Sequence, residues 1–198
     1  MKKFNILLFD GFETLDAFGP VEIIGRLKEE YKLNYYSRHG GIVTSTQGVA
    51  VATQKAEAIE AGGILLVPGG MGTRQLVCDN EFIAMLKILG EESEFVLTVC
   101  TGSALLAKTG LLKDVKATSN KRAFGWAASV DEEVNWQAKA RWVEDGKYFT
   151  SSGISAGMDM ALGFVARFHG EDTADKICFE IEYIWNKDKN YDPFRAGQ

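Results

Sequence analysis

The cysteine at position 100 stands where the pattern of the chain changes period. Before it, Phe95, Val96, Leu97 and Val99 belong to an unbroken apolar, β-branched run, the signature of a strand buried on both faces. After it, Thr101-Gly102-Ser103 opens a segment with Ala104, Leu105, Leu106 and Ala107, closed by Gly110, the signature of a short helix. A side chain at such a junction is presented at the carboxyl edge of a sheet, beside the positive end of a helix dipole. A thiol there is expected to lose its proton more easily than a free cysteine, so Cys100 is read as a nucleophile. The competing reading is a buried inert cysteine, the common state of a cysteine in an apolar run. Cys78, in a polar loop, and Cys178, in an amphipathic helix, are read that way.

A nucleophile needs a proton donor and a place for developing charge. Asp16 follows the first strand and is flanked by apolar Leu15, Ala17 and Phe18. A carboxyl desolvated by such neighbours has a raised pKa and can hold a proton for a substrate. The plainer alternative is a turn or helix-start carboxylate. Gly69-Gly70, after Pro68, is either a simple turn or a pair of amides able to approach a ligand closely, with the N–H of Thr101 as a second donor. His39 and His169 are isolated and neither neighbours Cys100 in sequence, which speaks against a cysteine-histidine dyad and against a metal site. No C-x-x-C pair occurs, so no zinc site or disulfide framework is indicated, and no cofactor is expected.

The elements that must position these residues alternate in type. The apolar run over 4–9 is a first strand, and a helix is predicted over 21–30 with Pro20 in its first turn. Strands follow over 33–37, with a hairpin of 42–46 and 49–53 about Gln47-Gly48, a short acidic helix over 56–61, and a buried strand over 64–67. An amphipathic helix over 80–90 precedes the Cys100 unit. Beyond it come a short strand over 116–119, a helical turn over 122–129, strands over 134–142 and 147–151 joined by Asp145-Gly146, and helices over 156–169 and 173–185. A polar surface arm runs from about 186 to the end. Alternating strands and helices indicate an α/β fold with a mostly parallel sheet and a single domain over 1–198. Asp16, Gly69-Gly70, Cys100-Thr101 and Ser152-Gly153 each follow a strand, where ligands of open α/β sheets bind.

The 198 residues are 46% hydrophobic and 25% charged, ordinary for a globular chain, and a net charge of -5 argues against a dedicated nucleic-acid binder. The apolar N-terminal run is too short to span a membrane and lacks a cleavage site, so a cytoplasmic protein with no membrane partner is expected.

Five stretches together resemble the ThiJ/PfpI family of the class I glutamine-amidotransferase-like superfamily: L-L-F-D-G-F-E-T-L-D-A-F-G-P (7–20), I-L-L-V-P-G-G-M-G-T-R (64–74), V-C-T-G-S-A-L-L-A-K-T-G-L-L (99–112), K-A-T-S-N (116–120) and S-S-G-I-S-A-G-M-D-M-A-L (151–162). The C-T-G elbow with aspartate in L-D-x-x-G-P resembles the isonitrile hydratase branch and the sensor domains of AraC-type regulators, not the protease branch, whose cysteine is followed by histidine. The resemblance implies a flavodoxin-like three-layer sandwich with a small antiparallel hairpin, and a homodimer. It implies Cys100 as nucleophile, Asp16 as its acidic partner and Thr101 as an assisting hydroxyl, with Gly69, Gly70, Gly72, Asn120, Ser152, Gly153 and Ile154 around a small-molecule substrate. The reaction implied first is hydration of an isonitrile to an N-substituted formamide. Two alternatives stay open: a glyoxalase or deglycase acting on methylglyoxal, and a non-catalytic redox sensor. Hydratase-like members carry His-Trp after the A-T of the next strand, where this chain has Ser119-Asn120-Lys121, so the substrate stays open too.

Overall fold

Strands with no polar face can only sit inside a sheet covered on both sides. Phe4, Ile6 and Leu7, Ile64 to Val67, and Val96, Leu97 and Val99 are all fully buried, and their strands form the centre of the sheet. In the computed structural model, which describes residues 1–195, the elements follow in the order β1 (Lys2–Leu7), α1 (Thr14–Ile24), β2 (Tyr31–Ser37), β3 (Gly41–Thr44), β4 (Ala50–Lys55), β5 (Ile64–Val67), α2 (Thr73–Leu76), α3 (Asn80–Glu92), β6 (Phe95–Val99), α4 (Gly102–Lys108), β7 (Lys116–Ala117), α5 (Phe124–Val130), β8 (Asn135–Trp136), β9 (Trp142–Asp145), β10 (Tyr148–Ser151), α6 (Ala156–His169) and α7 (Glu171–Glu180). One sheet runs β3-β4-β2-β1-β5-β6-β10-β9, parallel except where β3 and β9 close its two edges as antiparallel hairpin arms. A separate ribbon pairs β7 with β8. Helix α6 packs on α1 and α7, while α4 packs on α2, α3 and α5, giving the two helical layers of a flavodoxin-like sandwich.

Several elements differ from the sequence expectation, each for a tertiary reason. The first helix spans Thr14–Ile24 rather than 21–30, with Pro20 inside it. Gly19 lets Met158 of α6 approach, since a Cβ there would lie 2.8 Å from Met158 Cγ. The earlier start puts Asp16 in the first helical turn. The acidic helix over 56–61 is a single 3₁₀ turn, and the strand over 116–119 is confined to Lys116–Ala117.

The strand over 134–142 is broken between Trp136 and Trp142, because side chains take the carbonyls a ladder would use. Thr118 Oγ1 donates to Gln137 O at 2.9 Å, and Lys121 Nζ to Ala140 O at 2.6 Å. The last helix stops at Glu180 instead of reaching 185. Glu182 is left-handed (φ 52°), and Tyr183, Trp185 and Asn186 all turn to hydrogen-bond Asp159. Most of the C-terminal arm is exposed, including Lys187 to Tyr191 and Phe194, while Asp192 within it is fully buried. Residues 196–198 of that arm lie outside the described residues.

Candidate active site

Cys100 occupies the turn between β6 and α4 with φ 57°, a left-handed backbone that a side chain adopts at a cost of about 1–3 kcal/mol. Such strain persists only where neighbours over-determine it. The Cys100 N–H is shared between Ser151 O and Ser152 O at 3.2 Å each. Its carbonyl accepts from Ser103 Oγ and Ser119 Oγ, both at 2.9 Å. The turn also requires Gly102, because a Cβ there would lie 2.4 Å from Val67 O and 2.7 Å from Pro68 O.

The first turn of α1 delivers Asp16 to the same place. Its Oδ2 accepts the Gly69 N–H at 3.0 Å. Its Oδ1 is buried without a hydrogen-bond partner of ordinary length, and the carboxyl interacts with the Cys100 thiol. Gly69 must be glycine, since a Cβ would lie 2.8 Å from Cys100 Cβ and 2.6 Å from Thr101 N. The Gly70 N–H donates to Thr101 Oγ1 at 3.1 Å, and Thr73 Oγ1 lies 3.1 Å from that same oxygen. Both glycine amides are thus engaged within the protein and position Asp16 and Thr101. The Thr101 amide and hydroxyl favour the ionised form of the Cys100 thiol, and the hydroxyl also lies 3.4 Å from Gly70 O.

The electrostatics reverse the expectation of an easily ionised thiol. Burial holds the Asp16 carboxyl well above the usual carboxylate range; the Gly69 amide pulls it back only in part, and Glu13 pushes it further up. Burial also pushes the Cys100 thiol up, and the Asp16 charge adds to this, against weaker opposing bonds from Thr101 and Asn120. A seven-residue helix cannot offset this desolvation. Burial thus disfavours the charged form of both partners.

Cys100 is only 7% exposed, and the Asn120 side chain interacts with its thiol. Asn120 also borders a cavity of about 240 Å³, with Ser152, Gly153, Ile154 and, from the arm, Phe194. A Cβ on Gly153 would lie 1.9 Å from Asn120 Nδ2. Asp16, Gly69, Gly70, Thr101, Asn120, Ser152, Gly153 and Ile154 are therefore gathered around Cys100 or its cavity. Gly72 is not. It faces Asp10 and Phe9 and borders a second cavity of about 330 Å³ with Arg38, His39 and Asp79, away from the thiol. His169 shares a 2.7 Å hydrogen bond with Tyr31 OH, so neither histidine approaches Cys100. Ser103, Ser119 and Thr73 escaped the sequence reading. Nothing marks a hydroxyl that bonds a distant carbonyl, although Ser119 lies where the family motif departs.

The pattern of the DJ-1/PfpI family matches residues 2–167. The chain belongs to the DJ-1/PfpI family. Among its relatives, an isonitrile hydratase of Pseudomonas putida is 29% identical over 182 residues, covering 91% of this chain and 78% of that protein. A deglycase of Thermococcus kodakarensis is 28% identical over 159 residues, 75% of this chain and 89% of that one. The transcriptional regulator GbdR of Pseudomonas aeruginosa is 26% identical over 197 residues, 94% of this chain, which spans only 52% of the regulator. The solved structure of a ThiJ/PfpI family protein from Pseudomonas syringae superposes with a TM-score of 0.82 at 28% identity, covering 100% of this chain and 79% of that one. The DJ-1/PfpI fold is thus shared along the whole described length. Among the described residues no helix is long and apolar enough to cross a membrane.

Proposed function

We propose that this DJ-1/PfpI protein is a cysteine-dependent hydratase of isonitriles. The observation that supports it is the fully buried Asp16 carboxyl, held by the Gly69 amide beside Cys100 where burial favours its protonated form, with no histidine nearby. The terminal carbon of an isonitrile both accepts a nucleophile and takes up a proton. A protonated acid beside a thiol matches that demand. Sulfur forms a bond to the terminal carbon while Asp16 protonates that carbon, giving a thioimidate, R–N=CH–S–Cys. The proton lost by the thiol restores Asp16. Water then adds to the thioimidate carbon, nitrogen gains a proton, and the C–S bond breaks to release R–NH–CHO and the free thiol. The Thr101 amide and hydroxyl stabilise the sulfur as its proton leaves.

The experiment is incubation with cyclohexyl isocyanide, following formation of N-cyclohexylformamide. Turnover is expected from the wild type and none above background from Cys100→Ser. A folded wild type without turnover overturns the reading. Methylglyoxal serves as the comparison substrate, and lactate formation in its place would move the assignment to a glyoxalase. A redox sensor is the second reading, and the burial of Cys100, which is 7% exposed, leaves an oxidant little access.

A further inference from the structure

The C-terminal arm is fastened across the site by buried charge. Asn186 N–H donates to Asp159 Oδ1 at 3.0 Å, and Lys189 O accepts the Arg141 N–H at 2.8 Å. Asp192 N–H donates to Lys139 O at 2.8 Å. The Arg141 guanidinium, itself 5% exposed, lies between two fully buried carboxylates, 2.6 Å from Asp159 Oδ2 and 3.7 Å from Asp192 Oδ2. The same arginine reaches Ser155 Oγ at 3.3 Å, and its carbonyl accepts the Ser152 N–H at 2.8 Å. The anchor of the arm is therefore bonded directly to the loop that borders the candidate site.

The purpose of that anchoring lies two residues on. Phe194 N–H donates to Asp192 Oδ1 at 2.8 Å, which sets the course of the chain. The Phe194 side chain borders the cavity shared by Asn120, Gly153 and Ile154. It is 72% exposed and Ile154 is 39% exposed, so both apolar side chains leave surface free at the cavity instead of burying it in the core. A large apolar residue held at a cavity by a buried ion cluster is placed to be covered by a ligand.

We propose that Phe194 is a specificity-determining residue of the site, and that the arm selects isonitriles carrying a bulky apolar group on nitrogen. This rests on the hydratase reading for the identity of the substrate. On that reading the terminal carbon meets Cys100, which lies beside Gly69 and Thr101 and interacts with Asp16 and Asn120. The substituent on nitrogen then extends past Asn120 into the cavity. At about 30 Å³ per water molecule in the liquid, a space of about 240 Å³ admits a ring. An apolar ring gains there by covering Phe194 and Ile154, whereas a methyl group reaches neither.

The test uses Phe194→Ala and Phe194→Trp, each compared on cyclohexyl and methyl isocyanide. Removing the ring is expected to lower kcat/KM for cyclohexyl isocyanide about 10-fold and to leave methyl isocyanide within about twofold, the range set by apolar contact in a pocket. A second reading needs no turnover: the rate at which the Cys100 peptide is labelled by N-cyclohexylmaleimide relative to iodoacetamide. Phe194→Trp narrows the entrance and is expected to lower that ratio. If the wild type hydrates no isonitrile but the labelling ratio still falls, the hydratase reading fails and the role of Phe194 stands. If neither variant changes the preference for size in either measurement, the proposal is overturned.

Discussion

At the scale of single residues, the chemistry depends on where two protons rest. Asp16 is fully buried with one oxygen left without an ordinary partner, an arrangement that disfavours its charged form. A carboxyl whose folded pKa is raised stabilises the fold only while it is protonated, and that contribution is lost as pH rises through the folded pKa. Asp16→Asn removes the proton donor, and activity is expected to fall about 10² to 10⁴-fold. The same variant cannot ionise. Its Tm is expected to exceed that of the wild type increasingly as pH rises, and a thermal-melt series across pH checks this. A variant less stable than the wild type at alkaline pH would contradict the buried-acid account. Gly153→Ala tests the other side of the thiol. Its Cβ would overlap Asn120 Nδ2, and the Asn120 amide, whose Oδ1 accepts the Ala123 N–H at 3.0 Å, must shift away from the thiol. Activity is expected to fall about 10-fold, equivalent to about 1.4 kcal/mol, while the Tm changes little.

At the scale of elements, the junction of β6 and α4 holds Cys100 in its strained turn through a close approach of backbones. Gly102 lies against Val67 O and Pro68 O, main-chain atoms that cannot rotate aside. Gly102→Ala is expected to destabilise the fold by about 1–3 kcal/mol, as overpacking does, and to abolish activity by displacing Cys100. Urea unfolding combined with the labelling rate of Cys100 separates the two effects. The strand-helix junction was legible because both elements follow their own period, and helix α6 was read from the same kind of pattern at its observed bounds, Ala156–His169. The break in the strand over 134–142 was not legible. Its carbonyls are taken by Thr118 and Lys121, which are close in space and distant in sequence.

At the scale of the whole molecule, one buried ion cluster ties the end of the chain to the sheet and to the site loop. Arg141→Met leaves Asp159 and Asp192 buried without their cation. Loss of one member of such a group costs about 3–5 kcal/mol because the remaining charge is uncompensated. The loss is expected to be largest at neutral pH and to shrink on acidification, as Asp159, whose carboxyl burial pushes above the usual range, takes up a proton. Chemical denaturation at two pH values checks this, and an equal loss at both would refute it.

Local order was set by the sequence itself. Apolar runs, a change of period at Cys100, glycines where backbones meet and the family motifs suffice to place Cys100 at its strand-helix junction and to give the flavodoxin-like plan, because each is written in neighbouring residues. Only the tertiary structure decided the electrostatic setting of the pair, since desolvation, which disfavours both charged forms, is the sum of everything packed around Asp16 and Cys100. It likewise decided the course of the arm. Asp192 reads as one more surface carboxylate until Arg141 and Asp159, far away in the chain, are folded against it.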